Sequence, residues 1–213
     1  MAEIGILDYD AGNLLSLTKA LKKVGADCEI ISSGQDLSSF EKLVIPGVGA
    51  FRDGMKSLEA RGLVEPVRQF AASGKPILGI CLGMQLFTEE GEEFGLHKGL
   101  GIVRGKTVSM KRFVSGNTAL PHIGWNSIKK VEATWAGTPL QGIEEGEEVY
   151  FIHSYIVSLK DPKSMLASTE YGGCKFASVL RSKNIFGTQF HPEKSGETGL
   201  AILENFVNSV GRL

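Results

Sequence analysis

The sequence predicts an α/β protein built on a doubly wound mixed sheet, mostly parallel at its core, with antiparallel additions. Two observations predict the parallel core. Short, β-branched apolar runs at residues 4–8, 28–31, 42–45 and 77–80 alternate with segments of helical spacing, the pattern of βα units whose strands are buried on both faces. Glycines and Asn or Asp-Pro signals then punctuate the chain from about residue 99 to 181, separating short alternating runs. That second texture predicts antiparallel strands added to the same sheet.

The elements follow in order. After the first strand, Gly12-Asn13 opens a helix with Asn13 as N-cap, and Leu14, Leu17, Leu21 and Val24 repeat at helical spacing until Gly25 ends it. Strands at 28–31 and 42–45 precede helices at 53–60 and 63–72, which lead into a strand at 77–80. The later strands are expected at 103–110, 148–158, 166–170, 176–180 and 185–190, and a closing helix at 196–210 turns Leu200, Leu203, Phe206, Val207 and Val210 inward. The acidic run 89–93 reads as a solvated face.

With 213 residues the chain is long enough for one sizeable core, so a single domain over 1–213 is expected. A formal net charge of −1 gives no reason to expect nucleic acid or an anionic membrane as partner. Cys28, Cys81 and Cys174 are widely spaced and odd in number, which suits a reducing compartment and offers no metal-site spacing. No basic leader or membrane-length apolar run is seen. A soluble, cytoplasmic protein without metal or organic cofactor is expected.

The chemistry concentrates at Gly79-Ile80-Cys81-Leu82-Gly83. An apolar strand runs into helix-forming residues, with a cysteine at the junction and a glycine two positions to either side. This is the cysteine counterpart of the Gly-x-Ser-x-Gly nucleophile elbow, where neighbouring backbone comes too close for a Cβ. A cysteine there stands at a helix start, where unpaired amides favour a thiolate and the Leu82 N–H can meet an oxyanion. The other reading is a buried structural cysteine, the common fate of a free thiol.

A cysteine nucleophile needs a base, and the chain offers four histidines. His97 lies in a polar stretch, and His122 and His153 can be structural. His191 differs, because His191-Pro192-Glu193 follows a strand end and extended backbone points residues i and i+2 the same way. A carboxylate on one ring nitrogen fixes the tautomer and leaves the other nitrogen for the thiol. A second oxyanion donor needs another loop, and Ile45-Pro46-Gly47-Val48-Gly49 is the candidate, against an ordinary tight turn.

Gly79-Ile80-Cys81-Leu82-Gly83-Met84-Gln85 with His191-Pro192-Glu193 resembles the class I (triad) glutamine amidotransferases. Pro46-Gly47-Val48-Gly49, Pro121-His122-Ile123-Gly124-Trp125-Asn126, Tyr150-Phe151-Ile152-His153-Ser154-Tyr155 and Gln189-Phe190-His191-Pro192-Glu193-Lys194-Ser195 narrow the likeness to the glutaminase subunits of imidazole glycerol phosphate synthases. The resemblance implies that Cys81 attacks the side-chain amide of L-glutamine, with His191 as base and then acid and Glu193 orienting it. It implies oxyanion contacts from Leu82, Gly47 and Val48, and substrate contacts from Gly49, Gln85, Glu93, Ser154 and Tyr155. It also implies a (β/α)8-barrel cyclase partner in a heterodimer. The cyclase takes the ammonia to make imidazole glycerol phosphate, for histidine synthesis, and an aminoimidazole carboxamide ribonucleotide. Asn13, Trp125, Tyr150 and Lys194 would face that partner, and the glycine-flanked Val48 peptide would gate the reaction. The rival readings are a glutaminase for another acceptor, a cysteine peptidase or γ-glutamyl hydrolase, and a silent interaction subunit.

Overall fold

The structure, a computed structural model, describes residues 3–33, 37–131, 134–208 and 210. β1 (Ile4–Leu7) leads through α1 (Leu14–Lys23) to β2 (Cys28–Ile31). β3 (Lys42–Ile45) leads through α2 (Phe51–Ala60) and α3 (Val64–Ala72) to β4 (Ile77–Ile80), and the short α4 (Leu82–Leu86) follows. The next strands are β5 (Glu90–Gly91), β6 (His97–Lys98), β7 (Gly105–Ser109), β8 (His122–Ser127), β9 (Lys129–Lys130) and β10 (Glu148–His153). β11 (Tyr155–Leu159), β12 (Met165–Tyr171), β13 (Cys174–Ser182) and β14 (Ile185–Thr188) precede the closing α5 (Gly196–Asn208). Among the described residues no helix is long and apolar enough to cross a membrane.

The main sheet has eight strands in the order β2-β1-β3-β4-β14-β13-β12-β9. The first five are parallel and the last three antiparallel. The predicted antiparallel addition is therefore real but divided. β12 and β13 extend the main sheet, whereas β11, β7, β5 and β6 form a second sheet and β8 with β10 a two-stranded ribbon. The run read as one strand over 148–158 breaks at Ser154, because β10 pairs with β8 while β11 pairs with β7.

Local chemistry explains the boundaries. The Asn13 side chain accepts from the Ser16 amide at 3.3 Å and starts α1; Gly25, at φ 83°, ends it in the left-handed conformation that favours glycine. α2 begins two residues before the predicted 53, since Glu93 accepts from the Phe51 amide at 2.8 Å and supplies a cap from 42 residues away. The acidic run is thus not merely a solvated face. Glu89 pairs with Lys160 and accepts from the Gly105 amide, Glu90 pairs with Lys106, and Glu92 pairs with Arg112. α5 ends at Asn208, short of the predicted 210; of that stretch, Ser209 lies outside the described residues.

Alternation along the strands feeds two cores. Leu43 and Ile45 of β3 and Ile77 of β4 pack with Met55, Leu58, Val67, Leu86 and Phe87 on the α2–α4 face. Val44, Leu78 and Ile80 pack with Leu17, Leu21, Leu203 and Phe206 on the α1–α5 face. A third cluster, including Trp135, Phe151, Phe176 and Phe190, fills the space under the ribbon. Each buried side chain of this size contributes roughly 1.5–3 kcal/mol. The carboxyl ends of β1, β3, β4 and β14 consequently open at one edge, the position where ligands bind in open α/β sheets.

Candidate active site

Cys81 sits where β4 meets α4 with φ 52° and ψ −105°. A non-glycine residue in that region stores about 1–3 kcal/mol of strain and needs surrounding packing to hold it. Both flanking glycines are required by close approach rather than by φ. A Cβ on Gly79 would run into the Phe87 ring and the Gly83 backbone, and one on Gly83 would strike the Ile45 carbonyl. The Cys81 amide donates to the Thr188 carbonyl at 2.7 Å, which ties the elbow to the end of β14.

The same β14 end leads to His191, the expected base. Nδ1 of His191 donates to Glu193 Oε1 at 2.8 Å, and both side chains are almost wholly buried. The turn holding them is pinned to the ribbon. His191 N donates to the Tyr150 carbonyl at 2.9 Å, Tyr150 N to Ser195 Oγ at 3.0 Å, and that hydroxyl to the His191 carbonyl at 2.6 Å. Burial alone would push the His191 pKa down. The Cys81 sulfur and the Glu193 carboxylate outweigh burial and hold the imidazole up at about 9. Nε2 of His191 closes no directed hydrogen bond among the described residues.

The two expected oxyanion amides are both engaged elsewhere, and by one peptide unit. The Gly47 carbonyl accepts from Leu82 N at 3.3 Å, while the Val48 N–H at the other end of that peptide donates to the Ala11 carbonyl at 2.6 Å. Tyr9 steadies the turn through a 2.5 Å hydrogen bond to the Pro46 carbonyl, with its phenol pushed well above the ordinary value by burial and by the Cys81 charge. Gly47 has no room for a Cβ beside Tyr9 and Leu82, and Gly49 holds φ 109°.

A cleft of about 230 Å³ opens beside the sulfur, at the small end of ligand sites. Of the predicted residues, Val48, Gly49, Leu82, Gln85, Glu93, Ser154 and Tyr155 line it together with Cys81. Burial raises the Glu93 carboxyl above the usual range despite its bond to the Phe51 amide. Gly47, His191 and Glu193 are not among the lining residues. The residues expected to face a partner adjoin the site through backbone. Tyr150 holds His191, Lys194 is exposed beside Glu193, and Asn13 is exposed just past Ala11. Trp125 is paired with Tyr150 across the ribbon, ring centroids 6.1 Å apart.

Four lining or contacting residues carried no role in the sequence reading: Pro121, Ile152, His153 and Gln189. The Ile152 carbonyl accepts from the Cys81 thiol at 3.8 Å. Gln189 lies two residues before His191, so the i, i+2 rule that paired His191 with Glu193 also pointed to it. His122 and His153, read as structural, are a cross-strand pair with Nδ1 of His122 3.2 Å from Nε2 of His153.

The site thus brings together a strained thiol, a buried His–Glu pair and a small cleft. Residues 5–210 match the family Glutamine amidotransferase class-I, the class to which the chain belongs. Within that class the chain is 44% identical to imidazole glycerol phosphate synthase subunit HisH 1 of Legionella pneumophila, over 97% of this chain and 99% of the relative. It is 48% identical to the HisH subunit of Caldanaerobacter subterraneus, over 95% and 96%. The chain is a member of the HisH family. Solved structures share the fold at lower identity: PurLQS from Thermotoga maritima has a TM-score of 0.74 at 19% identity, covering 98% of this chain and 99% of that one. A crystal structure of a glutamine amidotransferase gives 0.72 at 17%, covering 96% and 98%.

Proposed function

We propose that the chain is a single glutaminase domain that hydrolyses L-glutamine to glutamate and ammonia and hands the ammonia to a cyclase subunit of imidazole glycerol phosphate synthase. The observation that carries this reading is the meeting of Cys81, at the end of β4, with the buried His191–Glu193 pair from the end of β14, in a chain of the HisH family.

In the proposed reaction the Cys81 thiolate attacks the side-chain amide carbon and the carbonyl electrons move onto oxygen. As the tetrahedral intermediate collapses, the C–N bond breaks and His191 gives its proton to the departing nitrogen, releasing ammonia. His191 then takes a proton from water, which attacks the glutamyl thioester; the C–S bond breaks and glutamate leaves. Glu193 holds the imidazole in the productive tautomer and balances its charge. Gln85, Glu93, Gly49, Ser154 and Tyr155 hold the amino-acid end of the substrate in the cleft they line.

The oxyanion contacts are formed only after a rearrangement. Rotating the single Gly47–Val48 peptide would free the Leu82 amide from the Gly47 carbonyl and withdraw the Val48 amide from Ala11. Two donors would then be turned toward the reacting carbon, and each is worth about 10²–10³ in rate. The cyclase, a (β/α)8 barrel in this reading, drives that rotation in a cytoplasmic heterodimer. It docks on the ribbon, whose outer face carries Ile123 and Trp125 of β8 beside Tyr150 and Ile152 of β10, with Asn13 and Lys194 at the margin.

The test is glutamate release by the chain alone and with a barrel cyclase and its nucleotide ligand. Stimulation of at least about 10²-fold, abolished in Cys81→Ala, is the expected result. Equal rates with and without the cyclase would overturn the assignment of the acceptor, and no release under either condition would overturn the glutaminase.

A further inference from the structure

Gln189 follows β14 and is wholly buried, with its backbone amide donating to the Ser178 carbonyl of β13 at 2.9 Å. Its side-chain Nε2 lies 3.6 Å from Cys81 Sγ, hydrogen-bond distance for sulfur, and its Oε1 accepts from Gln85 Nε2 at 3.2 Å. Gln85 Nε2 also donates to the Tyr155 carbonyl at 3.0 Å.

This series of amides has only one consistent direction. A backbone carbonyl can only accept, so Gln85 must present nitrogen to Tyr155. The second N–H of that nitrogen then requires an oxygen opposite it, which Gln189 provides. The remaining end of Gln189, its NH2 group, is left facing the sulfur. Turning Gln189 over would set two donors against each other at Gln85 and an oxygen lone pair against the thiolate.

We propose that Gln189 is a catalytic residue, whose side-chain N–H donates to the Cys81 sulfur and stabilises the thiolate, in an orientation fixed by Gln85 and the Tyr155 carbonyl. This inference rests on the reading of Cys81 as the nucleophile. A buried thiolate has lost its hydration, and a hydrogen bond to a charged acceptor is about twice as strong as a neutral one. His191 supplies a charge, yet it must surrender its proton to the leaving nitrogen. An amide does not titrate, so its donor is still in place when the thioester breaks and the sulfur leaves as thiolate again. Gln85 and Tyr155 also line the cleft, so a ligand that competes for the Gln85 amide weakens the anchor of the donor on the sulfur.

The test is the pH dependence of Cys81 alkylation by iodoacetamide on the full chain, followed on the Cys81 peptide by mass so that Cys28 and Cys174 do not contribute. The titratable groups around the sulfur are His191 with Glu193 behind it, Tyr9 after β1, and His153 and Glu93 in the cleft, and all are retained in the variants. Gln189→Leu removes the donor. Its alkylation midpoint should rise by roughly one to two pH units, with alkylation at neutral pH falling about tenfold or more. Gln189→Glu keeps an acceptor for Gln85 and sets a carboxylate at the sulfur, so its midpoint should rise further. In both, kcat for glutamate release should fall more than KM changes. A folded variant whose alkylation profile superimposes on the wild type overturns the proposal.

If Gln189→Leu does not fold, Gln189→Glu decides. If neither folds, the wild-type chain decides: the Gln189 side-chain ¹⁵N shift must move through the same midpoint as Cys81 alkylation, and an unresponsive amide overturns the proposal. Alkylation and hydrolysis are read separately. An unchanged profile in an active glutaminase therefore defeats this inference alone, whereas missing hydrolysis with a shifted profile defeats the proposed function and the catalytic role and leaves the bond from Gln189 to the thiolate standing.

Discussion

Two pairs of buried histidine contacts lie on either side of the ribbon's end, and they hold the same ring in opposite states. His191 has a carboxylate on Nδ1 and a thiol ahead of Nε2, and its pKa stands at about 9. His122 is stacked on Tyr171 with ring centroids 4.0 Å apart and donates to His153, which in turn donates to the Tyr155 carbonyl. With no carboxylate partner among the described residues, burial pushes His122 down to about 4. Burial first, and then His122 beside it, pushes His153 to about 3. Burial acts alike on all three rings, and the sign of the outcome is decided by whether an anion is bonded directly to the ring. One pair is built to carry a proton and the other to exclude it.

The comparison breaks most visibly in activity. Glu193→Gln should lower glutamate release by about 10⁴-fold, since the amide neither balances the imidazolium nor enforces its tautomer. His122→Phe should leave the rate per folded molecule within about threefold. Comparable losses in the two variants would show that both pairs belong to the chemistry. Stability should rank the other way. His122→Ala deletes a stacked ring and leaves a buried His153 lone pair unmet, and urea unfolding should report a loss of about 2–4 kcal/mol. His122→Phe keeps the stack and should lose only about 1–3 kcal/mol.

The smallest effects are two opposite pH limbs in the unfolding midpoint. His191 has a folded-state pKa above its ordinary 6.5. Its contribution is complete below about pH 6.5 and is lost as pH rises through about 9. The His122–His153 pair has folded-state values below 6.5. Its contribution is complete above about pH 6.5 and is lost as pH falls toward 4 and then 3. Glu193→Gln should weaken the alkaline limb, which the Cys81 sulfur also supports, and leave the acid limb, and His122→Phe should soften only the acid limb. An alkaline limb undiminished in Glu193→Gln would remove the carboxylate as a cause.

Much of this was legible in the sequence because the signals were local. The β1–α1–β2 unit, the elbow strand and the Asn13 cap rest on spacing and end residues within a few positions of each other. The start of α2 was misjudged because its cap comes from Glu93, far away in sequence. The division of the later strands among three sheets was hidden for the same kind of reason. Alternation tells which face of a strand is buried, not which neighbour it pairs with, and Ser154 marks a change of partner rather than a turn signal. The glycines around Cys81 were read correctly as sites of close approach. The engaged state of the Gly47–Val48 peptide could not be read, because it depends on the Ala11 carbonyl, and a carbonyl has the same sequence code at every residue.

The central place of β14 has a consequence for synthesis. This strand lies between β4 and β13, yet it comes from residues 185–188, after every other strand of the sheet. While the chain is emerging from a ribosome, β4 presents an open parallel edge and Cys81 has neither the Thr188 carbonyl nor His191 beside it. Long-range parallel pairing is the slow kind, so the nascent protein carries an unarmed thiol at an unfinished edge for most of its translation. Insertion of β14 closes the edge and brings the Thr188 carbonyl and His191 to Cys81 in one event. Premature termination before that strand would therefore yield a sticky and inert fragment, not a weakened enzyme.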